Sequence, residues 1–166
     1  KLWRFVLKLK AAGTKIIFDP NYRPTLWSSL NETRAAYAAA FEFADIALPG
    51  VDDHIVLYDA RDAEDVAEFL EKFAIDEILI KNGSKGMLLS MNGERSYIDV
   101  NPVENVVDTT SAGDAFNGAY LSAKLSGKPA EQAAKFAAKV SACVIQHKGA
   151  IVDEQVFAQQ LIDHPM

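Results

Sequence analysis

Three short apolar runs limit this fold more than anything else in the chain. TKIIFDP from Thr14, DIALPG from Asp45 and DEILIK from Asp76 each hold a few apolar residues and then meet Pro, Gly or Asn. Runs of that length read as buried strands, and the prolines forbid their continuation. The stretches between them are helical in pattern. SSLNETRAAYAAAFEFA from Ser28 has a polar start and an alanine-rich body; VDDHIVLYD and DAEDVAEFLEKFA follow, the latter repeating Val66, Phe69, Leu70 and Phe73. Strands that alternate with helices need crossover connections, so the expected class is α/β with a mainly parallel sheet. The segment after DEILIK predicts strand, turn, strand, turn, strand, with Asn92-Gly93 as a hairpin turn that adds antiparallel character. Helices are predicted over 112–125, over 130–150 and over about 153–162, and one at the start repeats Leu2, Phe5, Val6 and Leu9 before Gly13 caps it.

The chain has 166 residues, enough for one domain with a real core. A net charge of -6 argues against broad nucleic-acid binding and leaves room for a local basic pocket. The single cysteine, Cys143, excludes an internal disulfide framework. No apolar run approaches the roughly 18 residues that span a bilayer, and the start carries no cleavage-site pattern, so a cytoplasmic protein away from membranes is expected. Lys1 already lies inside a helical pattern with no initiator Met, which suggests a piece of something longer.

Ligands of such sheets bind in the loops beyond the carboxyl ends of the strands. The richest loop is VVDTTSAGDAFNGAYLSAKLSG, Val106 to Gly127. A helix starting near Ser111 exposes unpaired N–H groups at its positive end, and Ser111, Ala112 and Gly113 have little side chain to obstruct an anion. Asp114 in that first turn suits a proton acceptor beside a held phosphoryl group. The alternative is equally open: Thr109 or Thr110 caps the helix, Asp114 complements the dipole, and the small residues serve packing. Gly118, Ala119, Ser122 and Ala123 suggest a thin face toward a neighbour. In FDPNYRPTLW, Arg23 can pair with a carboxylate or phosphate or form a surface ion pair. IKNGSKG is not a Walker A loop, which leaves a nucleotide approach or a plain turn. Asp52 and Asp53 could organise a hydrated Mg²⁺ or simply start a helix. His54, His147 and His164 show no metal spacing, and Cys143 reads as core.

Together these loops carry a resemblance. DTTSAGDAFNGAYLSAKLSG resembles the Asp-Thr-x-Gly-Ala-Gly-Asp signature of the ribokinase-like (PfkB) sugar kinases. FDPNYRPTLW and CVIQHKGAI are similar to the versions in the 2-keto-3-deoxygluconate kinase group of that family, and the likeness runs through nearly the whole chain. It implies a ribokinase-like three-layer fold in which residues 1–166 form the C-terminal nucleotide-binding portion of one domain, without the N-terminal part and its β lid. It implies phosphorylation of 2-keto-3-deoxygluconate by ATP and Mg²⁺ at the terminal hydroxyl, once the missing part is supplied. The rivals are a fructokinase or ribokinase, or an inactive nucleotide-binding fragment. By the same resemblance Asp114 is the catalytic base and Ser111, Ala112 and Gly113 the anion hole. Arg23 grips the sugar acid's carboxylate. Asn21, Lys81, Gly83, Ser84 and Gly86, with Ala138 and Ser141, serve the nucleotide. Asp108, with Thr110, belongs to a monovalent-cation loop, and Asp53 to a metal site. Relatives often form homo-oligomers through the lid. Two positions depart from the family pattern. Ser111 replaces a Gly, which works only if its backbone need not adopt φ > 0. Gly50 and Asp53 replace the Asn and Glu of an N-x-x-E motif.

Overall fold

A computed structural model of the chain describes residues 1–163, so His164 lies outside the described residues. The chain separates into two compact units, Lys1–Tyr97 and Ile98–Met166.

In the first unit the sheet is built in chain order, β1-β2-β3-β4-β5. β1 (Ile17–Phe18) pairs parallel with β2 (Ile46–Ala47), and β2 parallel with β3 (Glu77–Lys81). β3 pairs antiparallel with β4 (Met87–Met91), and β5 (Glu94–Ile98) lies beside β4 across the Asn92-Gly93 turn. Asn92 and Gly93 both take positive φ, 57° and 77°, as that two-residue turn requires. The sheet is therefore mixed, with its parallel pairings confined to the three strands that follow helical crossovers.

Four helices belong to this unit: α1 (Leu2–Ala11), α2 (Leu30–Phe41), α3 (Val51–Tyr58) and α4 (Ala63–Leu70). α1 ends where the sequence places Gly13: at φ 83° its N–H reaches the Lys10 carbonyl and that of Thr14 the Leu9 carbonyl, a Schellman ending. Ser29 caps α2, its hydroxyl accepting the Glu32 N–H at 3.2 Å while Glu32 accepts from Ser28. α4 starts on Asp62, whose carboxylate accepts the Asp65 N–H at 3.0 Å. The core holds Phe41, Ala47, Leu57, Val66, Leu70, Ile80 and Leu88. Each such large side chain contributes about 1.5–3 kcal/mol on burial. Of the predicted α4 stripe, Val66 and Leu70 are sealed, Phe69 is half-buried, and Phe73 sits beyond the helix end.

The second unit is helical. α5 (Ala112–Leu125) lies along α6 (Ala130–Val144), and α7 (Glu154–Asp163) follows. The thin face predicted on α5 holds at Ala123 but not around it: Gly118 and Ser122 are exposed, Ala119 is half-buried, and the buried face is shared with Phe116 and Tyr120. The small residues that permit close approach come from α6, where Ala133, Ala134 and Ala137 are fully buried. Cys143 is buried on the same helix, and burial raises its thiol pKa. α6 also stops earlier than predicted, at Val144 rather than near residue 150. The Ile145 carbonyl is taken by the N–H groups of Val107 and Asp108, at 2.8 and 3.1 Å, and the chain turns there.

His54 of α3 is fully buried between Phe41, Tyr58 and Phe69, with Nδ1 3.2 Å from the Gly50 carbonyl and no partner for Nε2 among the described residues. Burial lowers its pKa from 6.5 to about 4. Between those values the unfolded chain binds a proton that the native chain refuses, so stability falls as pH drops through that window and the loss is complete near its lower end. About 3 kcal/mol is expected to disappear between pH 7 and pH 4 from this group. Denaturant titrations across that range check it, and His54→Gln should flatten the slope.

Candidate active site

The loop after β1 is held at several points. Lys81, at the end of β3, pairs with Asp19 at 3.5 Å. Asp53 in the first turn of α3 accepts the Tyr22 N–H at 3.1 Å. Burial raises the Asp53 pKa, helped by the charge of Asp19, while the Tyr22 N–H, Lys81 and Arg23 pull the other way. Between them Asn21 occupies φ 40°, a conformation non-glycine residues seldom adopt. Arg23 is exposed and starts a short 3-10 turn over Pro24–Leu26. One guanidinium nitrogen donates to the Tyr22 carbonyl at 3.1 Å, and among the described residues no carboxylate forms a salt bridge with it. The surface ion pair allowed by the sequence is thus absent there, and the fork is left facing solvent.

Lys81, Gly83, Ser84 and Gly86 lie together where β3 hands over to β4. Gly83–Lys85 is a single 3-10 turn, and the Asn82 N–H donates to the Gly86 carbonyl at 3.0 Å. Gly86 adopts φ 93° and ψ -151°, a region closed to residues with a Cβ. The segment is a tight turn with small residues on its outside.

In the second unit the mouth of α5 is shaped by Asp108. Its Oδ1 accepts the Thr110 N–H and its Oδ2 the Gly149 N–H, both at 2.9 Å. A hydrogen bond from the Thr110 side chain, and then these two, lower its pKa. Asp108 thereby fastens the loop before α5 to the loop after α6. Neither Thr109 nor Thr110 caps the helix; the N-cap is Ser111, at φ 60° and ψ 15°, with no side-chain cap bond. The proviso on Ser111 therefore fails: this is a left-handed position, the kind glycine fills without strain. The Ala112 N–H is taken by the Thr109 carbonyl at 3.2 Å. The N–H groups of Ser111, Gly113 and Asp114 have no acceptor among the described residues, so of the three predicted donors only that of Ala112 is engaged, and Asp114 adds a further one. Asp114 itself is exposed in this first turn.

The Ser141 hydroxyl donates to the Ala112 carbonyl at 3.0 Å, tying α6 to the first residue of α5. Ala138, one turn earlier, lines a cleft of about 420 Å³ with Val100, Gln132, Lys135, Lys139 and Ala142. Ala138 and Ser141, paired by the sequence reading, thus divide between cleft wall and helix anchor. Val100 lies on a loop with no motif of its own, which is why sequence reading passes over it. Among the described residues no three His, Cys, Asp or Glu side chains gather as a metal site.

A profile of the pfkB family of carbohydrate kinases matches residues 1–156. The chain belongs to this family. Curated relatives of this pfkB member include the 2-dehydro-3-deoxygluconokinases of Haemophilus influenzae, 40% identical over 148 residues, and of Escherichia coli strain K12, 39% identical over 159. The matches take in 88% and 93% of this chain and 47% and 51% of those proteins. The chain spans about half the length of the curated relatives it matches. Its ribokinase-like α/β fold is shared with solved pfkB kinases. Aminoimidazole riboside kinase from Salmonella enterica, complexed with aminoimidazole riboside and an ATP analog, superposes with TM-score 0.83 at 26% identity over 96% of this chain and 56% of that one. Fructokinase from Vibrio cholerae O395, bound to fructose, ADP and calcium ion, gives 0.83 at 25% identity over 96% and 54%.

The left-handed Ser111 carries a measurable cost in this pfkB chain. Ser111→Gly should raise stability by about 0.5–1 kcal/mol, the relief of αL strain net of glycine's extra unfolded-state entropy. Thermal denaturation of the two proteins checks this, and an unchanged or lower midpoint counts against strain at that residue.

Proposed function

We propose that the complete protein containing this chain transfers the γ-phosphoryl of ATP to the terminal hydroxyl of 2-keto-3-deoxygluconate (2-dehydro-3-deoxygluconate), giving the 6-phosphate and ADP. The observation that carries this reading is the mouth of α5, where an exposed Asp114 stands beside N–H donors that have no acceptor among the described residues. Asp114 orients the substrate hydroxyl and takes its proton as the oxygen bonds to phosphorus and the bond to ADP breaks. The helix N-terminus, through the N–H groups of Gly113 and Asp114, stabilises charge on the transferring group. Arg23 meets the sugar acid's carboxylate, for which its unpaired fork is suited. The glycine turn around Gly83 and Gly86, with Asn21, serves the phosphate side. The cleft by Ala138 offers an apolar wall for a base. A divalent ion such as Mg²⁺, brought in with ATP, would supply neutralisation of the phosphate charge when bound. Asp53 and Asp108 are the carboxylates that would face it by the family resemblance, though both already accept backbone N–H bonds.

The fructokinase neighbour, with fructose bound, favours a second reading in which a neutral sugar is the acceptor. A panel of sugars and sugar acids given to the complete kinase separates the two.

Asp114→Asn should lower kcat more than about 100-fold while ATP binding, followed by calorimetry, persists. Near-normal turnover removes Asp114 from the proton-acceptor role. Arg23→Ala should raise KM for the sugar acid at least about tenfold and leave that for a neutral sugar nearly unchanged. Equal effects on both count against the carboxylate assignment.

A further inference from the structure

The loop carrying Asn21 and Arg23 is clamped from both sides of its strained residue. On one side of Asn21, the Tyr37 hydroxyl donates to the Pro20 carbonyl at 2.6 Å. On the other, the Tyr22 N–H donates to Asp53 at 3.1 Å. Both ends of the first bond are buried. Tyr37 is itself fixed by edge-on ring contacts, Phe18 at 5.5 Å and Trp27 at 5.6 Å between centroids. Phe18 is the last residue of β1, and Trp27 closes the 3-10 turn that Arg23 opens. One side chain of α2 therefore touches the loop at its entrance, its middle and its exit.

A residue at φ 40° relaxes unless its surroundings over-determine it. Two hydrogen bonds on the flanking peptides do that, because neither peptide can rotate without breaking one. Burial pushes the Tyr37 hydroxyl up to about 12, so it remains a neutral donor throughout the range in which a kinase works. Among the described residues the hydroxyl is given one hydrogen-bond acceptor, the Pro20 carbonyl; the ring alone would fill its place in the core.

We infer that Tyr37 is a positioning residue for sugar-acid binding, acting through the Pro20 carbonyl to hold Asn21 and Arg23 in their binding geometry. The inference rests on the proposed role of Arg23, and it names a residue that need not touch either substrate. A preorganised arm spares the ligand the cost of ordering it, so the loss should appear in substrate affinity far more than in the chemical step.

Tyr37→Phe tests this in the complete kinase, since it deletes one hydroxyl and keeps the ring contacts. KM for the sugar acid should rise about fivefold to tenfold, with kcat changed less than about twofold. Amide exchange of residues 21–23 should quicken, read directly by mass spectrometry or NMR. Tyr58→Phe is the control, because the Tyr58 hydroxyl is buried without a partner among the described residues and its removal should leave KM alone. An unchanged KM and unchanged exchange in Tyr37→Phe overturn the inference. So does a fall in kcat with KM unmoved. If exchange quickens but neither Tyr37→Phe nor Arg23→Ala moves KM, the clamp stands as a structural device, and both the positioning role and the Arg23 assignment fail. If Arg23→Ala moves KM and Tyr37→Phe does not, the Arg23 assignment survives and this inference alone is lost.

Discussion

Where a helix begins or a strand gives way to a loop, backbone N–H groups are left that need acceptors, and in this chain aspartates meet much of that demand. Asp45 accepts the Ile16 N–H at 2.7 Å and fixes the approach to β1. Asp53 accepts from Tyr22, and Asp108 accepts from Thr110 and Gly149. A charged acceptor makes a shorter, stronger bond than a carbonyl does, so a few carboxylates hold loops that no regular ladder reaches. The loops are then rigid enough to present chemistry. At the mouth of α5, by contrast, donors remain that no acceptor among the described residues takes up.

Much of the first unit was readable because its signals are local. The apolar runs ending in Pro or Asn, the Asn92-Gly93 turn, the polar start of α2 and the Gly13 ending each express a constraint within a few residues. The boundaries of α5 were as legible as these, between a small-residue mouth and a glycine stop. What sequence reading misplaced depends on partners distant along the chain. α6 ends at Val144 because the loop before α5, some forty residues away, claims the Ile145 carbonyl. The buried face of α5 was assigned to its own small residues because nothing in its sequence reveals that α6 supplies the alanines.

The site shows the same division. Residue types and their order along the chain nominated Arg23, Asp114 and the glycine turn only together with the family resemblance, since each alone also fits a plain structural role. Hydrogen bonding then changed individual roles. Ala112 proved to have its N–H engaged, Ser141 proved to be an anchor, and Ser111 proved to hold a left-handed backbone. No motif could have revealed Tyr37, whose hydroxyl partner lies 17 residues away and is a carbonyl, a group every residue possesses.

The thiol of Cys143 is buried on α6. A small alkylating reagent reaches it freely only when that burial opens, and only the thiolate reacts. The chain thus carries a built-in clock for the breathing of its second unit. The first unit has no sulfhydryl, so the label reports on the second unit alone.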